Sequence, residues 1–313
     1  MAEKTVLVAG GAGFVGSHLC EKLLDENCRV ICFDSLITGK KENLPSMSQR
    51  KNFKFIKGDI SKKVPSLRID GIFNLASPAS PVDYQKRPIE TLFSGSLGVK
   101  NLLDLARKND AVFLQASTSE IYGDPLEHPQ KESYYGNVNP VGPRSCYDES
   151  KRFAEALTTN YCSHYSVETR IARIFNTYGP RMRKDDGRVI PNFVMQALKN
   201  GPLTVYGDGS QTRSFCFVDD LVCGLLSLMK SGYTLPVNLG NPDERTIFDT
   251  AKKIISLTGS SSKISFAPLP KDDPLRRRPD ISLASEKLGW KPVTGFDKGL
   301  KSTVEWFRTN PGR

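Results

Sequence analysis

The sequence is short of the residues that build metal sites and disulfide frameworks. Among its 313 residues are three histidines, His18, His128 and His164, and none stands at the spacing of a metal-binding pair. The seven cysteines are scattered, odd in number and without a Cys-x-x-Cys pair. This pattern predicts reduced thiols in a cytosolic protein, with neither a zinc site nor a disulfide-stapled fold.

Leader sequences and long apolar runs are also missing. The chain leads directly into a short apolar run at residues 5–9, without a basic segment followed by an apolar one. No run approaches the length that spans a membrane, and we find neither repeats of solenoid period nor low-complexity tracts. We therefore expect a cytoplasmic globular protein, and a hydrophobic content of 38% with 25% charged residues fits that class.

The charge balance is basic, with a formal net charge of +10. Its lysines and arginines are dispersed, and Arg276, Arg277 and Arg278 form the one tight run. A solvated surface or a site for an anionic small molecule explains this pattern as well as a nucleic-acid duplex does. We expect a metabolite, not nucleic acid or a membrane, as the partner.

A strand, a glycine-rich turn and an amphipathic helix open the chain, with the turn at residues 10–16. This order is typical of a dinucleotide-binding unit. Gly10 allows the tight turn, Gly13 lets the backbone approach a pyrophosphate, and Gly16 permits close packing of the helix. An isolated match of this kind is often a loop without a ligand, so the residues that follow decide its meaning.

A second strand supports the dinucleotide interpretation. It covers residues 29–33 and ends at Asp34, whose carboxylate suits the ribose hydroxyls of NAD and repels the 2′-phosphate of NADP. Asp59 follows the third strand, where it either reaches the adenine amino group or caps a turn. The further cofactor candidates near these strand ends are Phe14, Val15, Ile60, Leu75 and Ser77.

Strands and helices alternate along the first half of the chain. After the first two, strand candidates lie at 53–56, 71–75, 111–116 and 168–173, and helical stretches at 88–108 and 147–165. This alternation predicts an α/β fold in which a parallel sheet is covered by helices on both faces. In such a sheet, binding residues gather at the carboxyl ends of the strands.

The candidate catalytic pair is Tyr147 and Lys151. Four residues apart on a helix, they project from the same face. A free tyrosine has a pKa of ~10, and we expect the nearby ammonium to lower it. Such a pair takes a proton from a sugar hydroxyl while hydride leaves the same carbon. Because Tyr-x-x-x-Lys alone is common on solvated helices, the interpretation depends on its context.

That context includes residues 117–123, which follow the fifth strand. Thr118 is expected near the Tyr147 phenol, ready to hydrogen-bond the reacting hydroxyl, and Ser119 stands beside it. Glu120 is a carboxylate entering the same crevice and a candidate proton carrier. Taken singly, a threonine and a glutamate after a strand are more often cap or surface residues, and their pairing with Tyr147 favours catalysis.

Together, the glycine turn, Thr118, Tyr147 and Lys151 resemble the extended short-chain dehydrogenase/reductase family, which modifies nucleotide sugars. Within it, the chain is most similar to the branch that decarboxylates UDP-glucuronate. The resemblance covers nearly the whole chain and is carried by residues 75–81, 117–124, 172–182, 205–213 and 272–280. It implies a Rossmann-type doubly wound parallel sheet at residues 1–178, to which a segment at about 215–240 returns. Residues 179–313 then form a smaller α/β domain that binds the nucleotide sugar.

The resemblance implies that NAD oxidises C4 of UDP-glucuronate, that the 4-keto acid loses carbon dioxide, and that the returned hydride gives UDP-xylose. Arg213 also has the guanidinium fork that suits a diphosphate. The substrate-binding residues implied are Pro81, Tyr84, Glu120, Asn176, Arg181, Val189, Tyr206, Gln211, Arg213 and Arg277. Whether Arg276, Arg277 or Arg278 contacts the sugar carboxylate stays open. The family also implies a homodimer.

Three alternatives remain. A 4-epimerase uses the same Tyr/Lys/NAD core and retains all six sugar carbons. A 4,6-dehydratase is less favoured, because family members with that activity carry an aspartate where this chain has Ser119. A sensor or scaffold that binds NAD without turnover is the third, although the chain keeps both Tyr147 and Lys151.

Overall fold

The computed structural model of the chain describes residues 4–269 and 276–310. Within them, a seven-stranded sheet forms the centre of the molecule. The described strands are β1 (Thr5–Ala9), β2 (Arg29–Asp34), β3 (Phe53–Lys57), β4 (Gly71–Asn74), β5 (Val112–Thr118), β6 (Thr169–Ile174), β7 (Thr177–Tyr178), β8 (Leu203–Tyr206), β9 (Thr212–Ser214), β10 (Cys216–Phe217), β11 (Pro236–Leu239), β12 (Glu244–Thr246), β13 (Ile264–Ala267) and β14 (Arg276–Arg277). The sheet order is β11-β6-β5-β4-β1-β2-β3, with every neighbouring pair parallel.

Helices cover both faces of this sheet. The α-helices of the described residues are α1 (Phe14–Asp25), α2 (Pro45–Ser48), α3 (Pro81–Lys86), α4 (Pro88–Phe93), α5 (Val99–Asn109), α6 (Ser145–Tyr165), α7 (Val189–Leu198), α8 (Val218–Lys230), α9 (Ile247–Thr258), α10 (Ser282–Leu288) and α11 (Phe296–Thr309), of which α7, α9 and α11 pack with one another beside the small sheets. Alternate residues of β1 point to opposite faces. Val6 and Val8 pack in one core with apolar residues of α1 and α8, and Leu7 and Ala9 in another with residues of α5 and α6. The predicted α/β fold with a parallel sheet covered on both faces is confirmed.

The helical stretch predicted at 88–108 is not one regular helix. A π-helical turn, Ser94–Gly98, separates α4 from α5. Gly95 lies against α6, where a Cβ atom on it would come within 2.6 Å of the Ser150 Cβ. The wide turn and the missing side chain therefore allow the chain to pack closely along α6, the helix that begins near Tyr147.

The later part of the chain forms small sheets beside the central one. Their orders are β12-β9-β14, β8-β13 and β7-β10. In the first, β14 pairs with β9 so that Arg277 is opposite Arg213. Strand β11 comes from the segment predicted to return to the central sheet, while the division at residue 178 stays a prediction. Among the described helices, none is both long and apolar enough to cross a membrane.

Candidate active site

One cavity of about 560 Å³ runs along the carboxyl ends of the central strands and reaches the small sheet that contains β14. Its walls include the glycine turn after β1, the ends of β2, β4 and β5, the start of α6, and residues of β9 and α7. Open parallel sheets bind ligands at this edge. Every site residue predicted from the sequence, except Arg181, lines this cavity.

The glycine turn leaves no room for side chains. Gly10 has a φ of 79°, and a Cβ on it would come within 2.8 Å of the Ala76 backbone nitrogen. A Cβ on Gly16 would lie 2.1 Å from the Gly10 carbonyl oxygen. The first helix begins after Gly13, so no side chain caps its N-terminus. A bare helix N-terminus beside a close-packed glycine turn fits the pyrophosphate of a dinucleotide.

Asp34 lies at the same end of the cavity, at the end of β2. Its carboxylate accepts hydrogen bonds from the backbone N–H groups of Leu36 at 2.7 Å and Ala12 at 3.0 Å. The pKa of Asp34 is raised overall, because burial raises it more than these two hydrogen bonds lower it. The backbone thus fixes the carboxylate beside the glycine turn, where the ribose of NAD is expected.

The other cofactor candidates line the same end. They are Phe14, Val15, Asp59, Ile60, Leu75 and Ser77. Asp59 also accepts hydrogen bonds from the N–H of Ser61 at 2.9 Å and from its hydroxyl at 2.7 Å, so its carboxylate closes a turn as well as facing the cavity. The two interpretations of Asp59 are therefore compatible, and its contact with adenine stays a prediction.

Tyr147 and Lys151 project from α6 into the middle of the cavity, and both are buried. The Lys151 Nζ lies 5.7 Å from the centre of the Tyr147 ring and donates a hydrogen bond to the Ala116 carbonyl at 2.8 Å. Thr118, at the end of β5, shares a side-chain hydrogen bond with Tyr147. The structure thus brings the three residues into the same part of the cavity, as the sequence predicts, with Thr118 rather than Lys151 next to the phenol.

The electrostatics of this phenol differ from the expectation. Burial raises the pKa of Tyr147 to about 12, although the hydrogen bond with Thr118 and the positive charge of Arg188 lower it. Burial also lowers the pKa of Lys151 to about 8. The expectation of a lowered phenol pKa is therefore wrong for the protein alone, because burial outweighs the hydrogen bond with Thr118 and the positive charge of Arg188.

Beyond Thr118, the cavity floor carries a buried ion cluster centred on Glu120. Arg277 donates hydrogen bonds to the Glu120 carboxylate at 2.8 Å and to the Ser119 hydroxyl at 2.9 Å. Arg144 forms a second ion pair with Glu120. Burial alone would raise the pKa of Glu120, but Arg277 and Arg144 lower it to about 2. Glu120 is therefore an ionised carboxylate that suits orienting its partners better than carrying a proton.

Of the three neighbouring arginines, Arg277 alone lines the cavity, while its contact with the sugar carboxylate stays a prediction. Arg277 is 1% exposed and lines the cavity, Arg276 is exposed, and the backbone N–H of Arg278 bonds to Gln130. The remaining substrate candidates in the cavity wall are Pro81, Tyr84, Asn176, Val189, Tyr206, Gln211 and Arg213. Tyr84 stacks on Tyr147 with ring centres 5.0 Å apart.

Arg181 is the exception. Its guanidinium pairs with Glu21 on α1 at 2.5 Å, and its backbone has a φ of 68°. This left-handed conformation belongs to the turn after β7. Arg181 therefore lies outside the cavity lining, apart from the other substrate candidates, and its contact with the substrate stays a prediction.

Sequence reasoning missed several charged residues that line the cavity. Arg183 donates to both oxygens of Asp83, each at 2.9 Å, and Arg188 contacts both oxygens of Asp186. Arg144, in turn, stands three residues before Tyr147. The spacing of Arg144 from Tyr147 and the arginines at 181–188 are visible in the sequence. Spacing alone, however, does not show which side chains face a cavity. Among the described residues, no group of three or more potential metal ligands occurs.

Comparison with known proteins gives a consistent set of relatives. Residues 6–240 match the model of the NAD dependent epimerase/dehydratase family. UDP-glucuronic acid decarboxylase 1 of Danio rerio is 51% identical over 304 residues, covering 97% of this chain and 72% of that protein. UDP-glucuronic acid decarboxylase 4 of Arabidopsis thaliana is 52% identical over 303 residues, covering 97% and 68%.

Solved structures with the same fold include two enzymes that act on UDP-sugars. The UDP-glucose 4-epimerase of Thermotoga maritima, solved with UDP-glucose, has a TM-score of 0.91 at 29% identity and covers 98% of this chain and 99% of its own. The UDP-glucuronic acid 4-epimerase of Bacillus cereus, solved with UDP-glucuronic acid and NAD, has a TM-score of 0.88 at 27% identity, covering 97% and 99%.

Proposed function

The chain belongs to the NAD dependent epimerase/dehydratase family, among the extended short-chain dehydrogenases/reductases, and from that premise we propose that it decarboxylates UDP-glucuronate to UDP-xylose. The observation that carries the proposal is the position of Arg277 and Arg144 in the cavity that holds Tyr147. A uronate carries a carboxylate at C6, and guanidinium groups near Tyr147 are suited to bind it while C4 is oxidised. The curated relatives with this activity match almost the whole chain.

NAD, when bound, supplies the hydride acceptor and donor at C4, and its oxidised ring carries a positive charge. The glycine turn and Asp34 are the residues that would hold it. Tyr147 takes the proton of the C4 hydroxyl, with Thr118 holding the hydroxyl and Lys151 contributing positive charge one helical turn away. Because burial raises the pKa of Tyr147, the phenol has to lose its own proton to the solvent before it can act as this base, and positive charge brought into the cavity would favour that loss.

With a ketone at C4, the C6 carboxylate is in the β position, so its bond to C5 breaks to release carbon dioxide. The electron pair moves into the enolate that C4 and C5 form. Tyr147, now carrying the proton, donates a hydrogen bond to the enolate oxygen. Glu120, held ionised by its arginines, orients a water molecule that protonates C5, and the hydroxide left behind takes a proton from the solvent. Return of the hydride to C4 and of the proton from Tyr147 gives the pentose.

Incubation with NAD and UDP-glucuronate tests the proposal directly. We expect one carbon dioxide released per sugar consumed, a product lighter by that mass, and no net accumulation of NADH, because hydride leaves and returns at the same carbon. Mass spectrometry of the product and carbon dioxide capture are the measurements. A product of unchanged mass would instead identify a 4-epimerase, the activity of the structural neighbours from T. maritima and B. cereus.

We also propose a homodimer formed through α4 and α6. Ile89, Phe93 and Leu97 recur every fourth residue and are all exposed, and Phe153 of α6 is 51% exposed. Apolar residues exposed along two packed helices are typical of a protein interface. A second copy of the chain, packed against α4 and α6 across a two-fold axis, would cover these side chains.

Light scattering is expected to give twice the chain mass of 34.7 kDa. Phe153→Glu should shift the protein toward the monomer, because it buries a charge in the proposed interface. Val293→Glu is the control, since Val293 is 85% exposed outside α4 and α6. A wild-type monomer, or equal effects of both variants, would contradict the dimer.

As for location, we propose the cytosol, where the seven free cysteines would stay reduced, and cell fractionation tests this.

A further inference from the structure

The mechanism above uses no side chain from residues 180–188, although this stretch supplies part of the cavity wall. The stretch, called the strap here, runs between β7 and α7. Its backbone is left-handed at Arg181, with a φ of 68°, and at Gly187, with a φ of 85°. The strap therefore turns sharply near both ends, and turns of this kind are where a loop absorbs a change in backbone angles.

The two ends of the strap are tied to different helices. At its start, Nε2 of His18 on α1 donates a hydrogen bond to the Pro180 carbonyl at 3.0 Å. At its other end, the side-chain amide of Asn192 on α7 donates to the Gly187 carbonyl at 3.0 Å. These bonds fix where the strap begins and ends, so the position of its middle depends on what it contacts in between.

The middle of the strap is held against α3. Nη2 of Arg183 donates to both carboxylate oxygens of Asp83, each at 2.9 Å. The two side chains are 16% and 17% exposed, so water screens this ion pair only in part. Beside it, Gly187 lies against Val82, where a Cβ on the glycine would come within 2.4 Å of the valine Cγ2. Since all four residues also line the cavity, the contact joins two parts of its wall.

The contact between the strap and α3 lies among the predicted substrate residues. Pro81 and Tyr84 belong to α3, and Val189 follows the strap as the first residue of α7. All three line the cavity, and Tyr84 stacks on Tyr147. A nucleotide sugar whose reacting carbon lies at Tyr147 would therefore be flanked by both the strap and α3.

We propose that the ion pair between Arg183 and Asp83 is a latch, which closes this wall over a nucleotide sugar and opens each time one enters or leaves. The turns at Arg181 and Gly187 take up the movement of the strap. The choice of a nucleotide sugar as the enclosed ligand rests on the proposed function. A latch slows entry and release alike, whereas a residue that binds the ligand directly slows release alone.

Stopped-flow kinetics on the NAD-loaded protein test the latch, with UDP carrying a fluorescent group on its ribose as the probe. Arg183→Met removes the guanidinium and keeps most of the side-chain volume. We expect the probe to associate and to dissociate about tenfold faster than from the wild type, because one charge-assisted contact no longer has to open. Its dissociation constant should change by less than about twofold, since both rates rise together.

Asp83→Asn separates a latch from a direct contact, because the two predict opposite signs. The amide oxygen can still accept the Ser80 hydroxyl, which bonds to Asp83 at 2.7 Å at the start of α3. Loss of the carboxylate charge should speed release of the probe as Arg183→Met does. If Arg183 instead binds the ligand itself, Asp83→Asn frees the guanidinium and slows release. The double variant should be no faster than Arg183→Met, because both changes break one contact.

Glu21→Gln is the matched control. It removes the carboxylate that pairs with Arg181 at 2.5 Å, so the strap again loses one ion pair, but outside the cavity lining. Both rates should stay at the wild-type values. Unchanged rates in Arg183→Met, or slower release in Asp83→Asn, overturn the latch while the proposed function stands. A wild type that does not bind UDP overturns both.

Discussion

Replacing Tyr147 by phenylalanine is expected to lower turnover of UDP-glucuronate by about a thousandfold or more, because proton transfer by a positioned side chain contributes roughly 10²–10⁴ in rate. The ring stays in place: Tyr147 stacks on Tyr84 with an angle of 7° between the ring planes, and phenylalanine keeps that contact. Only the hydroxyl that bonds with Thr118 is removed. Carbon dioxide release measures turnover, and calorimetry with UDP measures binding, which should change little.

Tyr161→Phe is the matched control for this variant. Tyr161 lies on the same helix, is equally buried, and its hydroxyl donates to Asp104 at 2.7 Å, away from the cavity. It should keep nearly full turnover. Undiminished turnover in Tyr147→Phe would remove the phenol from the mechanism. If the wild type binds NAD and UDP-sugar but turns over none of the UDP-sugars, the chain would be a sensor or scaffold instead.

Replacing Arg277 by methionine is expected to have the second large effect, on stability and on activity together. Its guanidinium bonds with Glu120, Ser119 and the Gly123 carbonyl, and is nearly inaccessible to water. Removing one partner of a buried ion pair costs about 3–5 kcal/mol, because the other charge is left uncompensated. We also expect a loss of turnover of about a hundredfold, since the carboxylate end of the cavity loses a cation.

Arg276→Met is the control, because it removes the same charge from the exposed preceding residue. It should change the free energy of unfolding by less than about 0.5 kcal/mol. Arg277→Lys restores the charge without the planar fork and should recover stability better than activity. Chemical denaturation and initial rates on folded protein are the measurements. Equal effects at the two positions would show that the burial of Arg277 has no bearing on the site.

The parts of the site found from the sequence are those that depend on local spacing. Gly10, Gly13 and Gly16 lie in one turn, and Tyr147 and Lys151 are one helical turn apart, so a periodicity argument is enough to bring them together. The order of strands and helices likewise predicts the parallel sheet. These features follow from neighbours in the chain.

The features that sequence reasoning left open depend on long-range pairing. Arg277 is distinguished from Arg276 and Arg278 by the register of β14 against β9, which no local pattern determines. Arg181 was named as a substrate contact by the family resemblance, yet its left-handed backbone and its ion pair with Glu21 hold it outside the cavity lining. The raised pKa of Tyr147 follows from burial, which is a property of the whole fold. Residues 272–275, part of one resembling stretch, lie outside the described residues.

The ion pair between Arg277 and Glu120 also bears on how the enzyme is made. Its partners are 157 positions apart in the chain. A growing polypeptide therefore contains every strand of the central sheet, and the complete glycine turn, before the ribosome has added the guanidinium on which the charge of Glu120 depends. Biosynthesis therefore delivers the central sheet and the glycine turn first, and the cation that pairs with Glu120 only later.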